Sequence, residues 1–158
     1  MVEISSTTGC RIVIMGIGSE LNGDDAVGVR VLQRLKSQLN DIPSRILLIE
    51  ACSMPENFTG AIRKFKPDEV ILVDAAGMSL DPGEIRWLHS SEINGVSALS
   101  HTLPLSVLAT YLESEMGCKV TLLGIQPYKN EFDTPLSLPV ENAVDKAVDF
   151  LLQYIWRV

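Results

Sequence analysis

The sequence predicts an α/β fold: a single three-layer domain, with a five-stranded, mostly parallel sheet and helices on both faces. Three observations predict it. Short apolar runs alternate with segments of helical periodicity along the chain. The length, 158 residues, is that of one domain. No repeat, low-complexity tract or composition shift divides it, so 1–158 reads as one domain with a loose leader over Met1–Gly9.

The first strand is expected at Arg11–Gly16, an apolar run closed by glycine. A loop over Gly16–Asp25 follows. From Asp24 the pattern turns helical, with Val27, Val31, Leu32, Leu35 and Leu39 on one face and acids at the start, where the helix dipole favours them. Ile46–Glu50 is a second strand. Phe58, Ile62 and Phe65 share a helical face in Pro55–Phe65, which Pro67 ends. Val70–Asp74 is a third strand, apolar until its closing carboxylate. Leu80–Gly83 is a turn, and Glu84–Leu88 alternates as a fourth strand. Its link from Asp74 is short for a parallel crossover, so an antiparallel neighbour is expected. A helix over Leu103–Met116 carries Pro104 in its first turn and Gly117 as C-terminal cap. Lys119–Ile125 is the fifth strand. The last helix runs from Pro139 to near Ile155, with Val140, Ala143, Val144, Ala147, Val148 and Leu151 inward.

Thirteen basic and twenty acidic side chains leave a formal charge of −7. That argues against nucleic acid, whose phosphates need clustered Lys and Arg, and against anionic lipid. No apolar run is long enough for a membrane span, and the polar start lacks the apolar centre of a secretory signal. Cys10, Cys52 and Cys118 are odd in number and lack CxxC spacing, which disfavours a disulfide framework and a cysteine-type zinc site. A reducing, cytoplasmic compartment is expected.

In open α/β sheets, ligands collect beyond the carboxyl ends of the strands. Those ends carry Gly16–Asp25, Glu50–Ser53, Asp74–Gly77 and Gln126–Tyr128, and the loop bearing His101 reaches toward them. Asp25, Asp74 and His101 are therefore expected to converge. Of the adjacent acids Asp24 and Asp25, one is expected to cap the helix, leaving the other as a ligand. Position alone leaves Asp74 equally a ligand or a loop cap. His101 gains weight from the two carboxylates; His89, the other histidine, reads as a surface residue. Two carboxylates and an imidazole suit Zn²⁺ or Ni²⁺ better than Cu(I), and the lack of a fourth ligand suggests an open site. The first loop has Leu21 where G-x-G-x-x-G needs its third glycine, and no G-K-[ST] or G-x-S-x-G occurs. Cys52 could pair with His101, but a small buried thiol is the expected reading.

The motifs resemble those of the hydrogenase maturation proteases, which trim the C-terminal extension from the large subunit of NiFe hydrogenases. The resemblance spans about Arg11–Leu152. It rests on Gly16-Ile-Gly-Ser-Glu-Leu-Asn-Gly-Asp-Asp-Ala-Val-Gly28, Val70-Ile-Leu-Val-Asp-Ala75 and Ser100-His-Thr-Leu-Pro-Leu105. Met54–Asn57, Leu80–Arg86 and Leu123–Pro127 also fit. The branch serving formate-linked, hydrogen-evolving hydrogenases is the most similar. Two departures stand out: Ser19 where the family usually has Asn, and Glu50-Ala-Cys-Ser53 where it usually has an acid, two glycines and Ser or Thr.

The resemblance implies a twisted five-stranded sheet and an aspartic-type endopeptidase. It places the family's metal ligands, also the candidate catalytic groups, on Asp25, Asp74 and His101. It implies a nickel-loaded large-subunit precursor as partner and substrate, with nickel carried by that precursor and zinc or a similar divalent ion able to replace it. The rival readings are a non-catalytic nickel-binding chaperone or sensor and a small-molecule hydrolase of similar build.

Overall fold

In a computed structural model of the protein, residues 9–98 and 103–157 are described, the side chains of Ser97 and Ala98 excepted. Most of the expected leader, and His101, therefore lie outside the described residues.

The strands are β1 (Ile12–Ile17), β2 (Ile46–Cys52), β3 (Glu69–Gly77), β4 (Ile85–His89), β5 (Ser97–Ala98) and β6 (Lys119–Ile125). The helices are α1 (Val27–Gln38), α2 (Thr59–Phe65), α3 (Leu105–Met116) and α4 (Leu138–Arg157). The main sheet has the order β2-β1-β3-β6-β4, parallel except for β4. The two-residue β5 pairs with the end of β3, Ala76 facing Ala98. The five expected strands and four helices are all present.

Alternation along the strands splits the core into two layers. Ile12, Ile14, Ile71, Val73, Leu123 and Ile125 meet α1 and α4 on one face. Val13, Met15, Val70, Leu72, Val120 and Leu122 meet α2 and α3 on the other. A sheet buried on both faces needs unbroken apolar strands, which is why β1, β3 and β6 read as continuous runs.

Several boundaries differ from the sequence expectation. The start of α1 is preceded by a 3-10 turn at Gly23–Ala26, and α2 by another at Pro55–Phe58. Pro104 stands at the N-cap of α3, just before its first turn, and Gly117 adopts φ +63° as its C-terminal cap. The larger difference concerns β4. It is antiparallel as expected, but its neighbour is β6, which lies between it and β3. The chain steps past that place and fills it later, so strand adjacency in sequence does not give adjacency in space. Because β1 is flanked by β2 and β3, successive connections leave it in opposite directions, and a crevice opens at the carboxyl ends of β1 and β3.

Candidate active site

Two glycines bring the start of α1 onto that crevice. Gly18 has φ +132°, and a Cβ there would lie 1.7 Å from the Asp25 carbonyl oxygen. A Cβ on Gly28 would lie 2.2 Å from the Val73 carbonyl and 2.3 Å from that of Ile17. Any side chain at either position would push the turn off the ends of β1 and β3. With both glycines in place, the loop folds back so that the Ser19 N–H donates to Asp25 Oδ2 at 2.8 Å.

Asp24 and Asp25 are both fully buried, but they differ in task. Asp24 Oδ1 accepts from the Ser137 N–H at 2.7 Å, and Oδ2 accepts from the N–H groups of Tyr128 and Lys129 and from Ser137 Oγ, each at 2.8 Å. Four donors on two oxygens leave little for a metal ion. Asp24 is thus the structural acid of the pair, but not as the expected cap of its own helix. It ties the loop before α4 to the loop after β1, helped by the Asp133 N–H on the Leu21 carbonyl at 2.7 Å. Asp25 stays the candidate ligand of the two.

Asp74 is fully buried inside β3, three residues before the strand's end at Gly77. The sequence reading ended the strand at Asp74; pairing of Ala75 with Ile125 and of Gly77 with Ser97 carries it further. Asp74 therefore lies within the strand and not at its end. Val73 and Ala75 belong to the α1–α4 layer, so alternation turns Asp74 toward the α2–α3 face. Beyond Asp74, the Gln126 Oε1 accepts from the Met78 and Leu80 N–H groups at 2.7 and 3.3 Å and fixes the loop after β3. Sequence reasoning gave Gln126 no role, although it belongs to one of the matching motifs.

His101 lies outside the described residues, between two flanks that are described. Ala98 pairs with Ala76 on β3, and Leu103 packs on the α2–α3 core. Among the described residues no three His, Cys, Asp or Glu side chains group as a metal site. Two of the three expected ligands are described, and both stand at the carboxyl end of the sheet.

Cys52 departs from expectation: it is exposed, not buried. It ends β2 with φ +53°, and its carbonyl accepts the Gly18 N–H at 2.7 Å. A left-handed residue at this place explains why glycine suits the corresponding stretch of the resembling family. Cys118 is buried and Cys10 packs against the core, as packing residues. His89 is exposed, also as read.

A family model described as hydrogenase maturation protease matches residues 29–154. The chain belongs to the hydrogenase maturation protease family. The hydrogenase 3 maturation protease of Escherichia coli K12 is 32% identical over 134 residues, 84% of this chain and 83% of that protein. A crystal structure of a NiFe hydrogenase maturation protease from Thermococcus kodakarensis superposes with a TM-score of 0.81 at 32% identity, covering 93% of this chain and 94% of that one. The hydrogenase-maturating endopeptidase HybD of E. coli, at 24% identity and a TM-score of 0.79, shares the fold. This maturation protease therefore has a peptidase's scaffold, with a sheet flanked by helices. No helix among its described residues is long and apolar enough to cross a membrane.

Proposed function

We propose that the chain is the endopeptidase that removes the C-terminal extension from a nickel-loaded NiFe hydrogenase large-subunit precursor. The observation that carries this reading is the coincidence of family membership with two fully buried carboxylates, Asp25 and Asp74, at the switch between β1 and β3. Nickel arrives with the substrate. The oxygens of Asp25 and Asp74 and a nitrogen of His101 are hard-to-borderline donors of the kind Ni²⁺ accepts, and zinc fits the same set. A processing enzyme that reads its substrate's metal needs its own coordination incomplete, so three protein donors suffice.

Peptide hydrolysis needs a base for the attacking water and a proton for the leaving amine. Asp25 or Asp74 takes the water's proton as oxygen bonds to the scissile carbonyl carbon; the C–N bond then breaks and the amine receives the proton. The rigid seat of both residues favours such a role. Asp25 sits on a turn closed by Gly18 and Gly28, and Asp74 within a strand paired on both sides. We place the reaction in the cytoplasm.

Incubation with a purified large-subunit precursor, with and without nickel, tests the reading by mass spectrometry. The expected result is loss of the C-terminal extension from the nickel-loaded form alone. Binding with no mass change would instead establish a chaperone or sensor, and equal cleavage of both forms would remove nickel from the recognition step.

A further inference from the structure

We propose that a small pocket between α2 and α3 receives a lysine or arginine side chain of the polypeptide being processed, with Glu56 as its counter-charge. The inference rests on the peptidase reading above and adds a specificity site to it.

The pocket has a volume of about 260 Å³, which suits one side chain. Its lining is Glu56, Thr59, Leu103, Val107 and Tyr111. It lies on the α2–α3 face, the face toward which Asp74 turns. Leu103, on its wall, follows closely after His101 in the chain. The pocket and Asp74 thus share one side of the sheet, and Glu56 and Thr59 on its lining follow directly on the carboxyl end of β2.

Glu56 sets the chemistry. Its Oε2 is shielded from solvent and receives no hydrogen bond. Shielding a carboxylate oxygen without a donor is costly, and the cost falls when a cation or strong donor arrives. Nearby donors are turned elsewhere. Thr59 Oγ1 donates to the Glu56 carbonyl at 3.1 Å, not to its carboxylate. Asn57 Nδ2 points at Met54 Sδ at 3.8 Å. The Arg63 guanidinium donates to the Tyr111 hydroxyl at 2.8 Å.

The rest of the lining fits the stem of a basic side chain. Val107 is 50% and Tyr111 39% exposed, leaving apolar surface open beside the acid. Lys and Arg lay their methylenes along such a surface while the charged head finds its partner, and the Tyr111 ring can face the cation. An acidic side chain would be repelled, and a purely apolar one would leave Glu56 unpaired.

The test is an NMR titration of the full chain with Ac-Ala-Arg-Ala-NH2 and its norleucine counterpart. The arginine peptide is expected to shift the Thr59, Val107 and Tyr111 amides saturably, at least about tenfold more tightly than the norleucine peptide. Glu56→Gln is expected to remove that preference while leaving Tm unchanged or higher, because the variant no longer shields an unpaired charge. Val107→Trp, at a half-exposed helix position, is expected to block both peptides without loss of fold. Equal affinity for the two peptides, no saturable shift, or an unchanged preference in Glu56→Gln would overturn the inference. With nickel-loaded precursor, Glu56→Gln is expected to raise KM by more than it lowers kcat; an unchanged KM also overturns the inference and leaves the peptidase reading standing. The titration uses neither precursor nor nickel. A wild-type chain that leaves the precursor uncut would therefore fail the peptidase reading alone.

Discussion

Strand β3 carries a buried acid near each end, and the two are held in different ways. At the amino end, Glu69 is 5% exposed and surrounded by side chains. Its carboxylate accepts from the Tyr154 hydroxyl and from Thr121 Oγ1, and Lys119 Nζ lies 3.7 Å away. Tyr154 in turn rests against the Trp87 ring, with centroids 5.4 Å apart. At the carboxyl end, Asp74 stands within a paired strand, and the two acids before α1 are seated by loop backbone. Ser19 N–H serves Asp25, and Tyr128, Lys129 and Ser137 serve Asp24. Side-chain partners from β6 and α4 make a network that holds the amino end of β3. At the carboxyl end, backbone donors from two loops, the one after β1 and the one between β6 and α4, seat the acids. One strand thereby joins a structural acid to a candidate reactive one.

The contrast can be broken at either end. Asp74→Asn is expected to lower precursor processing by at least about a hundredfold while Tm stays within a few degrees, since the shape of the residue is kept. Processing at the normal rate would remove Asp74 from the site. Asp24→Ala is expected to cost about 3 kcal/mol, because three backbone N–H groups and one hydroxyl lose their acceptor together. Denaturant melts measure it, and faster amide exchange at Tyr128 and Lys129 would locate the loss. Glu69→Ala is expected to cost about 2 kcal/mol by the same measurement, with processing per folded molecule unchanged. A large drop in kcat there would contradict the division between the two ends.

The amino-end network also has a pH signature. Burial, together with the hydrogen bond to Glu69, pushes the Tyr154 phenol above its ordinary value. A group whose pKa is raised by folding contributes its full stability below the unfolded value, about pH 10 for tyrosine, and loses it as pH rises toward the folded value. Denaturation midpoints of the wild type should therefore fall above about pH 10 more steeply than those of Tyr154→Phe. Parallel slopes would show that Tyr154 ionises alike in both states. The smallest effect is expected at Cys52, which holds φ +53° with a side chain. Cys52→Gly should gain about 0.5–1 kcal/mol and keep processing. A folded but inactive variant would bring the thiol into the mechanism.

Which features were legible in the sequence follows from their range. The strands could be read because a sheet covered on both faces forces unbroken apolar runs such as Val70–Val73. Asp74 stood out because a carboxylate interrupts one of those runs. Asp24 and Asp25 could not be told apart, since their difference depends on where Tyr128, Lys129 and Ser137 return, more than a hundred residues later. Cys52 was misjudged as buried because its left-handed turn at the end of β2 exposes it. Glu56 was visible only as part of a motif, since the pocket it faces needs α3 beside α2.

By itself the sequence determined the layers, the family and the identity of the candidate ligands, because periodicity and motif spacing are local properties of the chain. Only the tertiary structure decided that β6 separates β3 from β4, that Asp24 fastens the loop before α4 to the loop after β1, and that Glu56 lines an apolar pocket. Those outcomes depend on which distant backbone donors and side chains meet a carboxylate, and non-local pairing of that kind leaves no periodic trace in the chain.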